Sequence, residues 1–506
     1  MVMMSNIIFL YGAPASGKTT LGKRLATALK TAFIDLDAVI VDQAGKTIPA
    51  VFASEGEEGF RNRESAALEM IVKSNAGAVI ALGGGTLLRD ANRKLCENAG
   101  TIWCIDTPSE TELARRIGSA PGSRPLGDKA RERAPHYASF PNRIAAFFEA
   151  GDSLVVVGKS IAAAVLPRYP VIADSTVARL YEQLFSDSSE SGRDRTPGDP
   201  RRGRSPRPTI IPSGEEHKTI ETVCGLWKAF AAKGLGRNDV ICALGGGVTG
   251  DLTGFAAATW MRGIDWVNVP TTMLAMVDAS TGGKTGCDLP EGKNLAGAFH
   301  SPRLVVIDTD FLKTLPANRI ADGMAEMIKH WIIESKSRVE VEQWISVFHD
   351  WKDSSAVRLP TSTSTFDGSL SKSIADNLFV KVNIVREDPF ETKGRRLLLN
   401  CGHTVAHAVE KLSDYRITHG EAVAIGCVEE ARLAVKLGLA KPEWPEELAA
   451  VFAAAKLPTK LPDGMDFEMM KPVMRGDKKR AGNTVTFALP CGWGDVRAVP
   501  VELGDK

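Results

Sequence analysis

Disulfide chemistry has little to work with in this chain. Its eight cysteines, Cys96, Cys104, Cys224, Cys242, Cys287, Cys401, Cys427 and Cys491, are scattered with no CxxC and no close pair. That spacing excludes a disulfide framework and a zinc ribbon and points to a reducing, cytoplasmic setting. Net charge is nearly absent too: 62 Lys and Arg against 61 Asp and Glu leave +1, which argues against a general polyanion binder. No apolar run is long enough to cross a bilayer. The opening MVMMSNIIFLYG has no basic n-region and reads as a buried strand, not a signal peptide. What remains is ordinary for a globular protein, 44% hydrophobic and 24% charged, and 506 residues suit two or three domains.

The stretch that organises the chain is GGGVTGDLTGFAAATWMRG, residues 245–263, after the apolar run VICAL. It predicts strand, glycine turn and helix. Gly245, Gly246 and Gly247 let the backbone approach a ligand, and a helix beginning near Asp251 aims its N–H groups at an anion. A tight βα turn with no ligand is the competing reading. The continuation VPTTMLAMVDASTGGKTGCDLPEGKN reads as a second glycine-rich loop that brings Asp278, Lys284, Lys293 and Asn294 together. Loops so charged usually bind something.

At the front, NIIFLYGAPASGKTTLGKRLATAL predicts a strand, a loop and an amphipathic helix around Gly12-x4-Gly17-Lys18-Thr19. This is a P-loop in its required context, with Gly12, Ala13, Pro14, Ala15, Ser16, Gly17 and Thr20 completing the phosphate cradle. Lys18 would reach the β/γ-phosphates and Thr19 would ligate Mg²⁺. AFIDLDAVI follows, a strand ending in Asp35 and Asp37 on one face at period two. Then come Arg61, the turn Gly83 to Gly85, Arg124 and Arg133.

Together these front motifs resemble shikimate kinase over about residues 5–143. The resemblance implies ATP and magnesium on Lys18, Thr19 and Asp35, and shikimate on Asp37, Arg61, Gly84 and Arg133. It also implies Arg124 on a lid, the segment from Arg124 to Arg133 being shorter than expected. No closing strand and helix are legible after Asn142.

Residues 152–166 predict one strand-helix unit and PVIADSTVARLY a second, with Asp174 at a strand end as ribose acceptor or helix N-cap. Residues 186–208, rich in Ser, Gly, Pro and Arg, predict a mobile surface insertion without aromatics for nucleic acid. Glu215 and Lys218 open a helix. MAEMIKHWII places Glu326 and Lys329 on one helical face, LLLNCGHTVAHAVEKL does the same for His403 and His407, and ITHGEAVAIG adds His419. One Glu and two His on separate helices form a zinc set with positions left open.

From about residue 150 to 500 the chain resembles 3-dehydroquinate synthase. The resemblance implies zinc (or cobalt) on Glu326, His403 and His419. It implies NAD on Gly245, Gly246, Gly247, Val248, Asp174, Glu215, Lys218, Asp251, Thr271, Thr272, Asp278 and Lys293. Catalytic roles fall to Lys284, Lys329, Lys381, Arg396, Asn400 and His407, and substrate contacts to Lys284, Asn294, Lys478 and Lys479. Arg262 resembles an arginine lent to a neighbouring subunit, which implies a homodimer. Any of the lysines alone would more often be a solvated surface charge.

The expected architecture is α/β throughout. A P-loop, nucleoside-monophosphate-kinase-like three-layer α/β/α domain spans 1–148. A Rossmann-like α/β NAD-binding half spans 149–312 and an all-α metal-binding half 313–506. The expected function is bifunctional: shikimate phosphorylation and NAD/zinc-dependent cyclisation of a heptulosonate phosphate, with small-molecule substrates and neither nucleic acid nor membrane as partner. Open alternatives are another sugar-phosphate cyclase substrate, another small-metabolite kinase, or a front half that only binds or scaffolds.

Overall fold

Strand β1 (Ile7–Tyr11) is buried at all five positions, as an unbroken IIFLY run must be when helices cover both faces of a parallel sheet. The computed structural model describes residues 7–75, 77–106, 126–149, 153–185, 207–334, 336–353, 366–475, 480–481 and 484–504. Strands β2 (Phe33–Asp35), β3 (Val79–Ala81) and β4 (Gly100–Ile105) join β1 in the parallel order β2-β3-β1-β4. Ile7, Phe9 and Tyr11 face Phe60 and Leu68 of the helix Ile48–Ser74, while Ile8 and Leu10 face Leu21 and Leu25.

The closing strand that the sequence hides after Asn142 is present. Strand β5 (Arg143–Phe148) pairs parallel to β4 through Cys104↔Arg143 and Ile105↔Ile144. RIAAFF has no polar alternation although only Ile144 is fully buried and one side of the strand lines the P-loop cavity, and six such residues carry no period that distinguishes strand from helix. Among the described residues no helix stands between β5 and the next strand. The chain turns back instead into β6 (Leu154–Gly158), which pairs antiparallel to β5 from Ile144↔Gly158 to Phe148↔Leu154.

β6 then continues, all in parallel, through β13 (Leu304–Asp308), β10 (Asp265–Pro270), β9 (Val240–Gly245), β7 (Val171–Asp174) and β8 (Thr209–Ile211). The result is one sheet of 11 strands. Because the hairpin reverses direction, the P-loop at the end of β1 and the Gly245–Gly247 turn at the end of β9 open at opposite edges of that sheet. One apolar core runs through the joint, bringing Leu21, Leu25 and Trp103 of the front half together with Val155, Val156 and Val306. Polar links cross it as well: Lys30 pairs with Asp265 at 2.9 Å, Arg303 donates to the Thr27 carbonyl at 2.5 Å, and Arg168 to that of Gly77 at 3.1 Å.

After β6 the expected helix is only two single turns, Ala162–Ala164 and Leu166–Arg168. The buried Asp308 carboxylate accepts the amides of Ser160, Ile161 and Ala162, fixing a turn where a helix start was expected, and Pro167 follows. The expected glycine loop around Lys284 is a hairpin, β11 (Lys284–Leu289) with β12 (Gly292–Phe299). The helical half carries a three-stranded antiparallel sheet, β14 (Arg480–Ala481), β15 (Thr484–Gly492) and β16 (Asp495–Glu502). Of the insertion, residues 186–206 lie outside the described residues.

A shared sheet and core predict a single cooperative unfolding transition by calorimetry for the whole chain. Val156→Ala, which removes fully buried methyls from β6, should lower that one transition by about 2 kcal/mol. Two separate transitions, with only one moved by the substitution, would contradict the shared core.

Candidate active sites

The P-loop closes over Gly12 at φ 141° and Gly17 at φ 98°, left-handed positions that suit glycine. The Lys18 ammonium donates to the Gly12 and Ala13 carbonyls at 2.9 and 2.8 Å, and burial pulls its pKa down to about 8. The Ser16 hydroxyl is buried in the cradle without a protein partner, as a phosphate-binding loop would leave it. Thr19 Oγ1 donates to Asp35 Oδ2 at 2.8 Å, a hydroxyl and a carboxylate side by side as a P-loop magnesium site requires.

Asp35 and Asp37 are not two residues of one strand face. Asp35 ends β2 and caps the helix Leu36–Ala44 by accepting the Asp37 amide at 3.1 Å, so Asp37 lies in that helix's first turn. Aspartate at a strand end is a strong N-cap, and that preference wins over continued strand. Burial, then the neighbouring Asp35 and Glu64 carboxylates, push the Asp37 pKa up to about 6.

Asp37, Arg61, Gly84 and Arg133 line one cavity of about 1320 Å³ together with the P-loop. Arg61 pairs with the buried Glu64 at 2.6 Å, and Glu64 also accepts from Thr86 at 2.6 Å. Tyr137 donates to the Gly84 carbonyl at 2.6 Å and also hydrogen-bonds Arg133. Glu64 and Tyr137 were missed from sequence, although each follows its arginine by one helical turn. Arg124 lies outside the described residues.

In the rear half the helix starts at Gly247, not near Asp251, since three glycines turn the chain straight into it. Gly246 has no room for a side chain without crowding Thr272, at 3.1 Å, and the buried Thr271 hydroxyl beside it has no protein partner. That close backbone approach and unused hydroxyl fit a dinucleotide turn. Asp174 caps the helix Ser175–Leu180 through the Thr176 and Val177 amides, and its other oxygen meets Thr249 at 3.4 Å. Asp251, one turn into its helix, pairs with Lys218 at 2.6 Å, and Lys218 also donates to Asn294 at 2.6 Å. Lys293 spans Glu215 and Glu410 at 3.5 and 3.6 Å. Val248 follows the turn, partly buried against the apolar core of its layer.

Glu326, His403 and His419 come from three helices, and one ligand atom from each lies within 4.8 Å of the others. His403 donates its Nδ1 proton to the Cys401 carbonyl at 3.1 Å, which turns Nε2 toward Glu326. Burial and the Lys329 charge push His403 down to about 4, the neutral form a metal needs. Burial opposes charge on His419 too, but the Glu326 and Glu410 carboxylates outweigh it and raise its pKa to about 10. Glu410 Oε2 lies 3.5 Å from His419 Nδ1 and orients the ring, a partner the sequence reading missed although it shares the His403 helix. This donor set fits zinc.

Beside it, Lys329 pairs with Glu326, and Asp278 pairs with Lys381 at 3.0 Å. Arg396 donates to the Pro389 and Gly282 carbonyls at 2.6 and 2.9 Å, with Phe299 under its guanidinium. Lys284 and Asn400 meet at the two oxygens of Glu391, at 2.6 and 3.4 Å. Glu149, in the turn from β5 to β6, accepts the Gly282 amide with one oxygen; the other is buried without a partner. No sequence signal marked it. His407 is exposed, edge-on to His403 with centroids 5.6 Å apart. Arg262 is exposed in a left-handed turn at φ 69°, and Lys478 and Lys479 lie outside the described residues.

Three family models match the chain: shikimate kinase over residues 14–166, the 3-dehydroquinate synthase N-terminal unit over 208–322 and its C-terminal unit over 323–480. A 3-dehydroquinate synthase of Shewanella loihica is 42% identical over 56% of this chain and 75% of its own length. One from a Synechococcus strain is 46% identical over 56% and 75%. Among solved structures, a 2-epi-5-epi-valiolone synthase of Streptomyces hygroscopicus with NAD⁺ and Zn²⁺ bound aligns at TM-score 0.57 and 25% identity, covering 72% of this chain and 96% of that one. The chain belongs to the 3-dehydroquinate synthase family, and a shikimate kinase domain stands in front of the synthase on the same sheet.

Proposed function

We propose that the chain catalyses two reactions of the shikimate pathway. The front unit, residues 1–148, phosphorylates shikimate with ATP. Residues 149–312 and 313–506 are the two halves of a synthase that cyclises 3-deoxy-D-arabino-heptulosonate 7-phosphate to 3-dehydroquinate and releases phosphate. The observation that carries the reading is the pairing of an intact P-loop site at one edge of the sheet with the Glu326, His403 and His419 set in the helical half. Eight free thiols and no membrane-length apolar helix among the described residues support a cytoplasmic setting.

In the kinase, Lys18 leaves its two loop carbonyls to meet the β/γ-phosphates, and Thr19 with Asp35 would hold Mg²⁺. Arg61 and Arg133 take the shikimate carboxylate, with Gly84 at a hydroxyl. Asp37 accepts the hydroxyl proton as that oxygen attacks the γ-phosphorus and the bond to ADP breaks. A base near pH 6 is suited to the task.

In the synthase, Glu326, His403 and His419 would hold zinc, which would supply Lewis acidity toward the substrate hydroxyls, and the Gly245–Gly247 turn would hold NAD⁺, which would supply reversible hydride transfer. Lys381, Arg396, Asn400 and Lys284 bind the substrate's carboxylate, phosphate and hydroxyls. Lys329 balances the Glu326 carboxylate, and His407, at the exposed face of its helix, exchanges protons with solvent. A homodimer places Arg262 of each protomer at the partner's site.

Shikimate-dependent ADP release beside phosphate release from the heptulosonate phosphate tests the whole reading. The free-enzyme kcat/KM of the kinase should be bell-shaped in pH, falling below about 6 as Asp37 is protonated and above about 8 as Lys18 loses its charge. Asp37→Asn should cut ADP release at least about 100-fold. Since the raised Asp37 pKa stabilises the fold only below pH 6 and that contribution is lost above it, the same variant should melt higher at pH 8. A flat profile or an active variant would refute Asp37 as base.

Metal content should fall from one zinc per chain to near zero in His403→Ala. Glu410→Gln should weaken metal affinity about 10- to 100-fold with ADP release untouched, read by chelator competition. Full affinity in Glu410→Gln would remove its orienting role.

For the dimer, Arg262→Ala and His403→Ala chains, each inactive as a synthase, should recover about a quarter of wild-type activity when co-expressed, because mixed dimers have one intact site. No recovery would place Arg262 outside the partner's site.

A further inference from the structure

The P-loop cavity has three walls, and only two are explained by phosphate and acceptor. Pro14 to Thr20 face the phosphates, and Asp37, Arg61 and Arg133 mark the acceptor end. The third wall is formed by Ile105, Ile144, Ala146 and Phe148 of β4 and β5, and by Lys372 and Asp376. The last two belong to the helix Phe366–Glu387 of the synthase half. That helix is seated on β5 by Phe147 against Phe379, edge to face at 5.9 Å between centroids. It stands where the chain turned back into β6.

The nucleoside of ATP must extend from the phosphates away from the acceptor, along this third wall. Its strand residues are apolar, suited to the face of a base, and offer no side-chain donor or acceptor. Asp106, the strand-end carboxylate in the same wall, is held by Arg143 at 2.8 and 2.6 Å from Nε and an outer guanidinium nitrogen. Among the described residues lining this wall, Lys372 and Asp376 add a donor and an acceptor one helical turn apart, paired to each other at 2.5 Å, with side chains 60% and 55% exposed. Such a pair on a solvated face is usually of little consequence. Here it borders a cavity whose ligand needs a donor and an acceptor in that place.

We propose that the synthase half completes the kinase's nucleotide site, with Lys372 and Asp376 binding the nucleoside end of ATP. The proposal rests on reading the P-loop cavity as an ATP site. The same helix carries Lys381 into the synthase cluster nine residues later, about 14 Å along the axis. One helix therefore serves both active sites, and the kinase depends on the synthase fold for part of its own.

The test uses the full-length chain and the double variant Lys372→Ala/Asp376→Ala, with Lys372→Gln and Asp376→Asn as milder changes should the double variant fold poorly. Calorimetric titration with Mg-ADP and, separately, with inorganic tripolyphosphate reads nucleoside and phosphate contacts apart. The ADP dissociation constant and the KM for ATP should rise about tenfold in the double variant and less in the single ones. Tripolyphosphate affinity, shikimate KM and synthase turnover should stay at wild-type values. ADP affinity within twofold of wild type in every variant would overturn the proposal, as would equal loss for ADP and tripolyphosphate. Wild-type protein that binds ADP but releases none from ATP and shikimate would refute the kinase reading alone, while the ADP titrations still decide the role of the helix.

Discussion

The pairing of β5 with β6 is the constraint on which the rest depends. Five antiparallel residue pairs join a kinase sheet to a synthase sheet, and the joint is filled on its faces by one apolar core. An exposed edge on either sheet would be a row of unpaired amides and carbonyls inviting association. Here each sheet covers the other's edge. The joint also replaces the kinase's closing helix, so the space beside β5 is filled by the helix Phe366–Glu387 from the far half of the chain.

Reversal of strand direction at the joint separates the two nucleotide turns. Phosphates bind at the carboxyl ends of parallel strands, and those ends point to opposite edges of this sheet. The two sites therefore share structure without sharing a mouth. What they do share is the hairpin turn and one helix. Glu149 reaches from the turn to Gly282 beside Arg396, while Lys381 and Lys372 lie on a single helix.

Around the metal set, charge is balanced residue by residue. Glu326 is fully buried, and burial alone would neutralise it; Lys329 and the two imidazoles hold its carboxyl well below the usual range. Asp278 is held low in the same way by Lys381 and Lys329. Such a network is costly to break at any single member, because the remaining partner is left as an unpaired buried charge. It keeps the ligand atoms together before any ion arrives.

Much was legible in the chain itself. The P-loop is a local pattern, written by the φ requirements of Gly12 and Gly17, and the triple-glycine turn is written by the close backbone approach at Gly246; Glu326, His403 and His419 were legible only as three separate helical segments, which the fold brings together. Local preference also misled: Asp35 caps a helix that the period-two reading took for strand, and β5 was invisible because six residues so uniformly apolar carry no alternation. Glu64, Tyr137, Glu410 and Glu149 acquire meaning only from the groups they meet. Tertiary structure alone decided that two enzymes share one sheet, because strand pairing across the joint depends on edge hydrogen bonds and covering helices distant in sequence. It alone decided that Lys372 and Asp376 face a kinase cavity, since no residue near them in sequence belongs to that site.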